Sequence, residues 1–545
     1  MLPRTQVALF LIMLTALFFR FWNLANVPPG LYPDEAMNGS NALESIETGN
    51  WKVFYPENNG REGLFINIQA GFVAALGAKP WALRLPSAIF GTLTVLGIFF
   101  LARFIFWEWA WRDNLALLAS FFAATSFWHI NFSRIGFRAI TAPFFLVWSL
   151  YFLFRLYKNA GSNFSQTLSA VLGGILFGLG FHSYIAYRVM SLLLLIPLVQ
   201  GWRSYKSDHA DPEYRSCFPC LAALFIFFAF IAFLPLGLYF LNHPADFLGR
   251  TSQISIFSTA SPLKTLAKNA LLTARMFWFQ GDNNWRHNFA GAPQLFWPVG
   301  LCFFVGILAA LKNILKKTDR EKRRASWFLA SWLILALAPV AISSEGLPHA
   351  LRAIIAIPPV MILAGWGGVG ILTQIKKWLE REIANYPDYL AQLKRVQKEL
   401  VLLLAAVLIT ISSHAFNQYF FRWAGEPDVY FAFAANYKEL ADYLNFLPQE
   451  LPKYVVINAP GVLVRGIPMP SQTIMFLTRT FLPQDQHNKN IFYVTPEKIP
   501  YGEMKNKEKI LVAMLEPDFK LRADLNKNIP NLETKIVAKT IYLVK

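Results

Sequence analysis

Leu31-Tyr32-Pro33-Asp34-Glu35-Ala36 follows an apolar run from Thr5 to Trp22, and this junction of a helix and two acids decides how the chain reads. The run is about long enough to cross a hydrocarbon core of about 30 Å. Arg4 ahead of it places the N-terminus in the cytoplasm and Asp34 on the far side. Pro33 at a helix start puts Asp34 and Glu35 in the first turn, where acids favour the helix dipole. Ordinary helix-start acids are therefore one reading of the pair. Neighbouring helical residues diverge by about 100° around the axis, so the two cannot jointly grip one proton. One should face a cavity while the other makes a structural contact. A carboxylate facing a hydroxyl works as a general base, which is the second reading of Asp34.

Composition fixes the class. Of 545 residues, 55% are hydrophobic and 15% charged, with 50 Phe and 17 Trp, and the mean hydropathy is +0.36. Soluble domains carry about a quarter of their residues as charges, so this is a membrane protein. Runs of spanning length fall at about 5–22, 82–106, 115–131, 139–154, 168–183, 188–200, 217–241, 296–311, 326–343, 353–373 and 400–416. The fold class expected is an all-α polytopic membrane protein of about eleven helices, with a small extracytoplasmic C-terminal α/β domain.

Threading from a cytoplasmic N-terminus puts Arg103 and Arg112, Arg203 and Lys206, Lys312 to Arg324, and Lys376 to Lys398 in inside loops. Much of the net charge of +18 lies there, as orientation requires, and no nucleic-acid partner is expected. Loops 23–81 and 242–295 then fall outside, as does the tail. The expected division is a membrane domain at 1–424, with a first outer loop at about 23–81, and the tail domain at 425–545. Lys453–Asn458, Ile491–Val494, Lys509–Leu515 and Lys535–Val544 read as strands, and Lys438–Leu447 as a helix. The first span is long and is followed by residues of the proposed site, so it reads as uncleaved. Cys217-Phe218-Pro219-Cys220 has redox spacing but opens a membrane helix without a βαβ context, so it reads as apolar filler.

The span interiors are nearly free of acids and bases, which counts against ion-coupled transport. Charged and polar groups gather instead at the outer ends: Arg61 and Glu62, Arg134 and Arg138, His182, Tyr184 and Arg188, and Glu345, His349 and Arg352. Each arginine alone reads as a snorkelling anchor. Together they suit phosphate, because a guanidinium stays charged and binds bidentately. Gly174 and Gly178 read as close helix packing. Asp282, Trp285, Arg286 and His287 form a polar aromatic cluster that could meet a sugar or sit in the headgroup layer.

Several pieces, in this order, resemble a known family. They are Tyr32-Pro33-Asp34-Glu35-Ala36; Arg84-Leu85-Pro86-Ser87-Ala88 with Gly91; and Ser133-Arg134-Ile135-Gly136-Phe137-Arg138. Gly178-Leu179-Gly180-Phe181-His182-Ser183-Tyr184 with Arg188, and Glu345-Gly346-Leu347-Pro348-His349-Ala350-Leu351-Arg352, complete the set. The chain resembles the integral-membrane GT-C glycosyltransferases of the protein O-mannosyltransferase and lipid A aminoarabinose transferase type, in a bacterial form. The resemblance covers about 1–424 and weakens over the tail.

The resemblance implies an inner-membrane enzyme that takes a sugar from a polyprenyl-phosphate donor and passes it to an acceptor hydroxyl on a lipid, glycan or protein. Asp34 matches the family's catalytic carboxylate, with Glu35 beside it. Members often carry Lys-Pro-Pro-Leu late in the first loop, where this chain has Arg61-Glu62-Gly63-Leu64. That departure leaves Glu62 as a second acid and Arg61 as a donor contact. No cofactor is certain; some relatives bind a divalent metal near these acids and others do without. The expected mechanism is inverting displacement, with Asp34 as base and arginines meeting the departing lipid phosphate. A flippase or exporter of lipid-linked sugars is the alternative, and a receptor or scaffold presenting the tail is a third.

Overall fold

A computed structural model describes residues 3–157, 162–207, 217–247, 256–258, 260–316, 319–344, 346–386, 390–537 and 540–544. Candidate residue Glu345 lies outside them. Among the described residues nine helices are long and apolar enough to cross a membrane. They are Pro3–Phe21, Pro80–Ile105, Arg138–Leu156, Ile185–Lys206, Phe218–Asn242, Trp297–Leu315, Arg320–Ala341, Ile354–Asn385 and Arg395–Trp423.

Each of the nine covers one expected run. The two remaining runs are helical as well, but differ in length or polarity. Near 115–131 the chain makes Arg112–Thr125 and then Phe127–Phe132, broken at Ser126, an extended residue whose side chain caps the second helix by accepting from the His129 N–H. Near 168–183 lies Asn163–Gly180, whose first turns carry Asn163, Ser165, Gln166 and Thr167 and dilute its hydropathy.

The chain divides into two compact units: Met1–Trp22, Ser87–Arg134 and Arg138–Trp423 in one, and Asn23–Pro86, Ile135–Phe137 and Ala424–Lys545 in the other. In the helical unit, Gly174 and Gly178 press against the backbone carbonyls of Phe225 and Ala229, where any Cβ would collide. This is the close packing that their spacing implied. Arg20, a charge inside the first spanning helix, is fully buried. Its guanidinium donates to the carbonyls of Ala16, Ala123 and Ala124 at 3.1–3.2 Å and to His129 Nδ1 at 2.7 Å. Cys217 and Cys220 correct the sequence reading: the two sulfurs are joined as a disulfide. Residue Phe218 starts the helix and Cys217 caps it, so the intervening turn brings the two side chains together.

In the second unit, helix α1 (Pro33–Thr48) and helix α2 (Gly63–Leu76) flank a short hairpin of β1 (Phe54–Tyr55) and β2 (Arg61–Glu62). The tail supplies β3 (Lys453–Val456), β4 (Ile491–Val494), β5 (Leu511–Met514), β6 (Glu533–Val537) and β7 (Thr540–Val544). They form one sheet in the order β4-β3-β5-β7-β6, with β3 parallel to β4 and β5 and the last two strands antiparallel. The stretch read as a single strand from Lys535 is thus divided between two antiparallel strands paired with each other, β6 and β7. Alternation sorts the two faces. Val455, Leu511 and Ala513 pack with Leu440, Leu444 and Ile474. Tyr454, Val456, Val512 and Met514 pack with Leu521 and Leu525. Met37 of α1 joins the first cluster, Thr473 Oγ1 donates to the Leu31 carbonyl at 2.9 Å, and Gly39 leaves room for the Phe476 ring. The first-loop helix and the tail are therefore built around one core.

Candidate active site

The second unit holds the acids. Tyr32 is extended and Pro33 opens α1, which places Asp34 and Glu35 in the first turn. Glu35 is fully buried, and its carboxylate meets Arg84 twice, Nε at 2.9 Å and Nη2 at 3.1 Å. It also accepts the Gly136 N–H at 2.7 Å and, reaching back in a capping box, the Tyr32 N–H at 3.4 Å. The same guanidinium donates to the carbonyls of Pro28 at 2.7 Å and Gly30 at 3.0 Å. Asp34 is only partly buried, and its Oδ1 accepts from Asn58 Nδ2 at 2.7 Å. The two neighbouring acids thus have separate surroundings, as their divergence around the helix demands.

Glu35, Asn38 and Asn41 are spaced three apart and share the buried face of α1. Arg61 on β2 is buried there, donating from Nη1 to Asn38 Oδ1 at 2.7 Å and from Nη2 to the Asn41 side-chain oxygen. Asn38 in turn donates to the Gly136 carbonyl at 3.1 Å. Glu62 is buried next to Arg61 on the same strand. Gly63, which follows, has no space for a Cβ because the Lys52 carbonyl lies against it, and its N–H donates to Val53 at 2.7 Å. The Arg-Glu-Gly order is thereby fitted to the hairpin.

The helical unit holds a second polar cluster. Asp282 Oδ2 accepts from His287 Nδ1 at 3.1 Å and from the Ala350 N–H at 2.8 Å, and lies 3.8 Å from His349 Nδ1. Burial raises the Asp282 carboxyl, but the His287 hydrogen bond, the charges of His287 and His349 and the Asn284 N–H outweigh it and hold it below its ordinary value. Trp128 Nε1 donates to the Ala350 carbonyl at 3.0 Å and Asn131 Nδ2 to the Arg286 carbonyl at 2.7 Å, so three separate segments are tied together. Arg352 belongs to this group: its N–H reaches His349 Nδ1 at 3.4 Å and its guanidinium donates to Ser343 Oγ.

The other candidates are placed as follows. Arg134 is fully buried, donates to the Phe19 carbonyl at 3.0 Å, and lies over the rings of Phe420 and Tyr419 at 4.9 and 5.5 Å. Arg138 is half-buried at the start of a span. Arg188 is half-buried, donates to the Phe247 carbonyl at 3.0 Å and stacks over Phe247 at 4.2 Å. His182 is buried against the next span, with Nε2 3.0 Å from the Ala232 carbonyl, and Tyr184 is buried beside it in sequence. Sequence reasoning missed Asn58 as the partner of Asp34, and it missed the joining of Asp282 and His287 to His349. Spacing offered no signal for either: Asn58 lies 24 residues from Asp34 in the same loop, and His349 comes from a different loop from Asp282 and His287.

Among the described residues, Asp34 and Glu62 belong to no group of three His, Cys, Asp or Glu side chains close enough to share an ion. The group that meets this condition is Asp282, His287 and His349, with ligand atoms all within 4.8 Å of one another.

The helices and the mixed α/β unit have counterparts among known proteins. Residues 64–235 match the family described as dolichyl-phosphate-mannose-protein mannosyltransferase. The structure is similar to that of ArnT from Cupriavidus metallidurans bound to undecaprenyl phosphate, with a TM-score of 0.58 and 16% identity over 98% of this chain and 97% of that one. The same protein in the apo state gives 0.58 and 15% over 99% and 98%. No curated protein sequence matches the chain significantly. The chain therefore has an ArnT-like GT-C fold with helices long and apolar enough to cross a membrane, and residues 64–235 of it match a mannosyltransferase family model.

Proposed function

We propose that the chain transfers a sugar, with inversion, from a polyprenyl-phosphate donor to an acceptor hydroxyl of a lipid, glycan or protein on the outer face of the cell membrane. The observation that carries this reading is the division of labour between the two first-loop acids. Glu35 is committed to Arg84 and two backbone N–H groups. Asp34 keeps a partly exposed carboxylate oriented by one neutral amide from Asn58. A general base needs that combination of a fixed direction and an accessible oxygen.

In the proposed step, Asp34 takes the proton of the acceptor hydroxyl as its oxygen attacks the anomeric carbon. The bond to the lipid phosphate breaks, and the phosphate leaves with the electron pair. Arg138, Arg188 and Arg352, each half-buried, are the cations assigned to that developing charge. Arg134, packed against aromatic rings, ties Pro3–Phe21 to Arg395–Trp423. The apolar helical unit supplies a wall for the polyprenyl chain, in keeping with the undecaprenyl phosphate held by ArnT. The deciding experiment uses the purified chain in detergent with a panel of polyprenyl-phosphate sugars, products being read by mass spectrometry. Transfer, or slow donor hydrolysis, supports the reading. Inactivity on the whole panel, with lipid scrambling in vesicles, would favour the flippase.

A further inference from the structure

We propose that Asp282, His287 and His349 form a binding site for a divalent transition-metal ion of the zinc class. The inference stands on the helical unit alone and does not depend on the assigned activity. Ligand atoms about 2.0–2.1 Å from a tetrahedral zinc stand about 3.3 Å from one another. Asp282 Oδ2 lies 3.1 Å from His287 Nδ1 and 3.8 Å from His349 Nδ1, distances that bracket that edge, and the ion would replace the proton that His287 Nδ1 donates to Asp282. All three ligand atoms fall within 4.8 Å. The two imidazole rings lie side by side, with centroids 4.8 Å apart and planes 30° from parallel.

The donor set selects the ion. Two imidazoles and a single carboxylate suit zinc, cobalt or nickel; calcium and magnesium call for more oxygen ligands. The carboxylate is also held as a ligand should be. The Asn284 N–H donates to Oδ1 at 2.8 Å and the Ala350 N–H to Oδ2 at 2.8 Å, which fixes its plane. The loops that carry the site are themselves anchored through Trp128 and Asn131. Three protein ligands leave the fourth position of a tetrahedral ion for water or an oxygen anion. The ion would bolt the 282–287 loop to the 349–352 segment and add positive charge next to Arg352.

The test uses the full chain without a polyhistidine tag, purified in detergent, stripped with chelator and re-equilibrated with micromolar zinc or cobalt. Elemental analysis should find about one zinc per chain, and cobalt should give the visible bands of a tetrahedral ion. His287→Gln and His349→Gln should each weaken uptake about 10–100-fold. Wild-type protein that is monodisperse yet takes up neither metal would overturn the proposal, leaving a hydrogen-bonded Asp-His-His cluster. Folded variants that keep full uptake would overturn it equally. If the variants fail to fold, X-ray absorption of the zinc-loaded wild type decides instead: a shell of two imidazoles and a carboxylate supports the proposal, and any other shell overturns it.

Discussion

Glu35 and Arg84 face each other as a fully buried ion pair, closed by two contacts of 2.9 and 3.1 Å. The pair joins the start of α1 to the first turns of Pro80–Ile105, and Arg84 also gathers the carbonyls of Pro28 and Gly30. Removing one member leaves a charge buried without its partner, which costs about 3–5 kcal/mol. Glu35→Gln and Arg84→Met should therefore lower the thermal midpoint and the yield of monodisperse protein, in detergent and without substrate. An unchanged midpoint would show that the pair is not structural and would return Glu35 to the list of reacting groups.

The glycine contacts predict a packing defect of a different kind. Gly178→Val drives a side chain into the Ala229 carbonyl on the neighbouring span. Overpacking of this sort costs about 1–3 kcal/mol. Thermal unfolding followed by tryptophan fluorescence should show the loss, whereas Gly502→Val, at a position with open space around it, should not.

Topology follows from counting spans rather than from their total. Between Lys316 and Gly425 lie Arg320–Ala341, Ile354–Asn385 and Arg395–Trp423, an odd number of crossings. Single cysteines introduced at Lys316 and Gly425 should label from opposite sides of intact spheroplasts, Lys316 from the cytoplasm. Labelling of both from one side would overturn the orientation.

The tail carries its own pH signature. Burial pushes the Tyr493 phenol up to about 12, against hydrogen bonds from Thr478 and Thr480 that lower it. A phenol raised in the folded state stabilises the fold fully below its unfolded value near 10 and loses that contribution as pH climbs through the folded value. Phenolate absorbance should therefore rise late, between about pH 10 and 12, together with loss of tail structure. Tyr493→Phe should remove part of that delayed absorbance.

Much of this was legible in the sequence, for identifiable reasons. Hydropathy marks a span wherever a helix is apolar on all sides, and nine of the expected runs are such helices. It overstates Arg112–Thr125, where a break at Ser126 is invisible to an average, and Asn163–Gly180, whose first turns are polar. Period-two alternation located the tail strands, but could not show that Lys535–Val544 is divided between two of them. The angle between adjacent helical residues told that Asp34 and Glu35 must part company; which one meets Arg84 is decided by chain segments far away in sequence. Arg20 was hidden for the same reason, its partners Ala123 and Ala124 lying on Arg112–Thr125 and His129 on Phe127–Phe132. The Cys217–Cys220 bond depends on a helix-start geometry that the spacing only permits.

Arg352 and Arg138 should separate binding from chemistry. Replacing either by alanine removes a charge-assisted contact to the donor phosphate, about 1.5–3 kcal/mol, and should weaken donor affinity about 10–100-fold. Thermophoresis or filter binding with a polyprenyl-phosphate sugar reads this directly. Unchanged affinity in both variants would assign the phosphate to Arg188 or to a different surface.

The central claim, that Asp34 is the base of a sugar transfer, is tested most directly by turnover and donor binding measured side by side for Asp34→Asn. Asparagine keeps the shape and can still pair with Asn58, but it cannot take a proton. Turnover should fall by about 10²–10⁴ while donor affinity and thermal midpoint stay at wild-type values. Near-normal turnover in well-folded Asp34→Asn would contradict the account, and the catalytic carboxylate would then be sought first at Glu62.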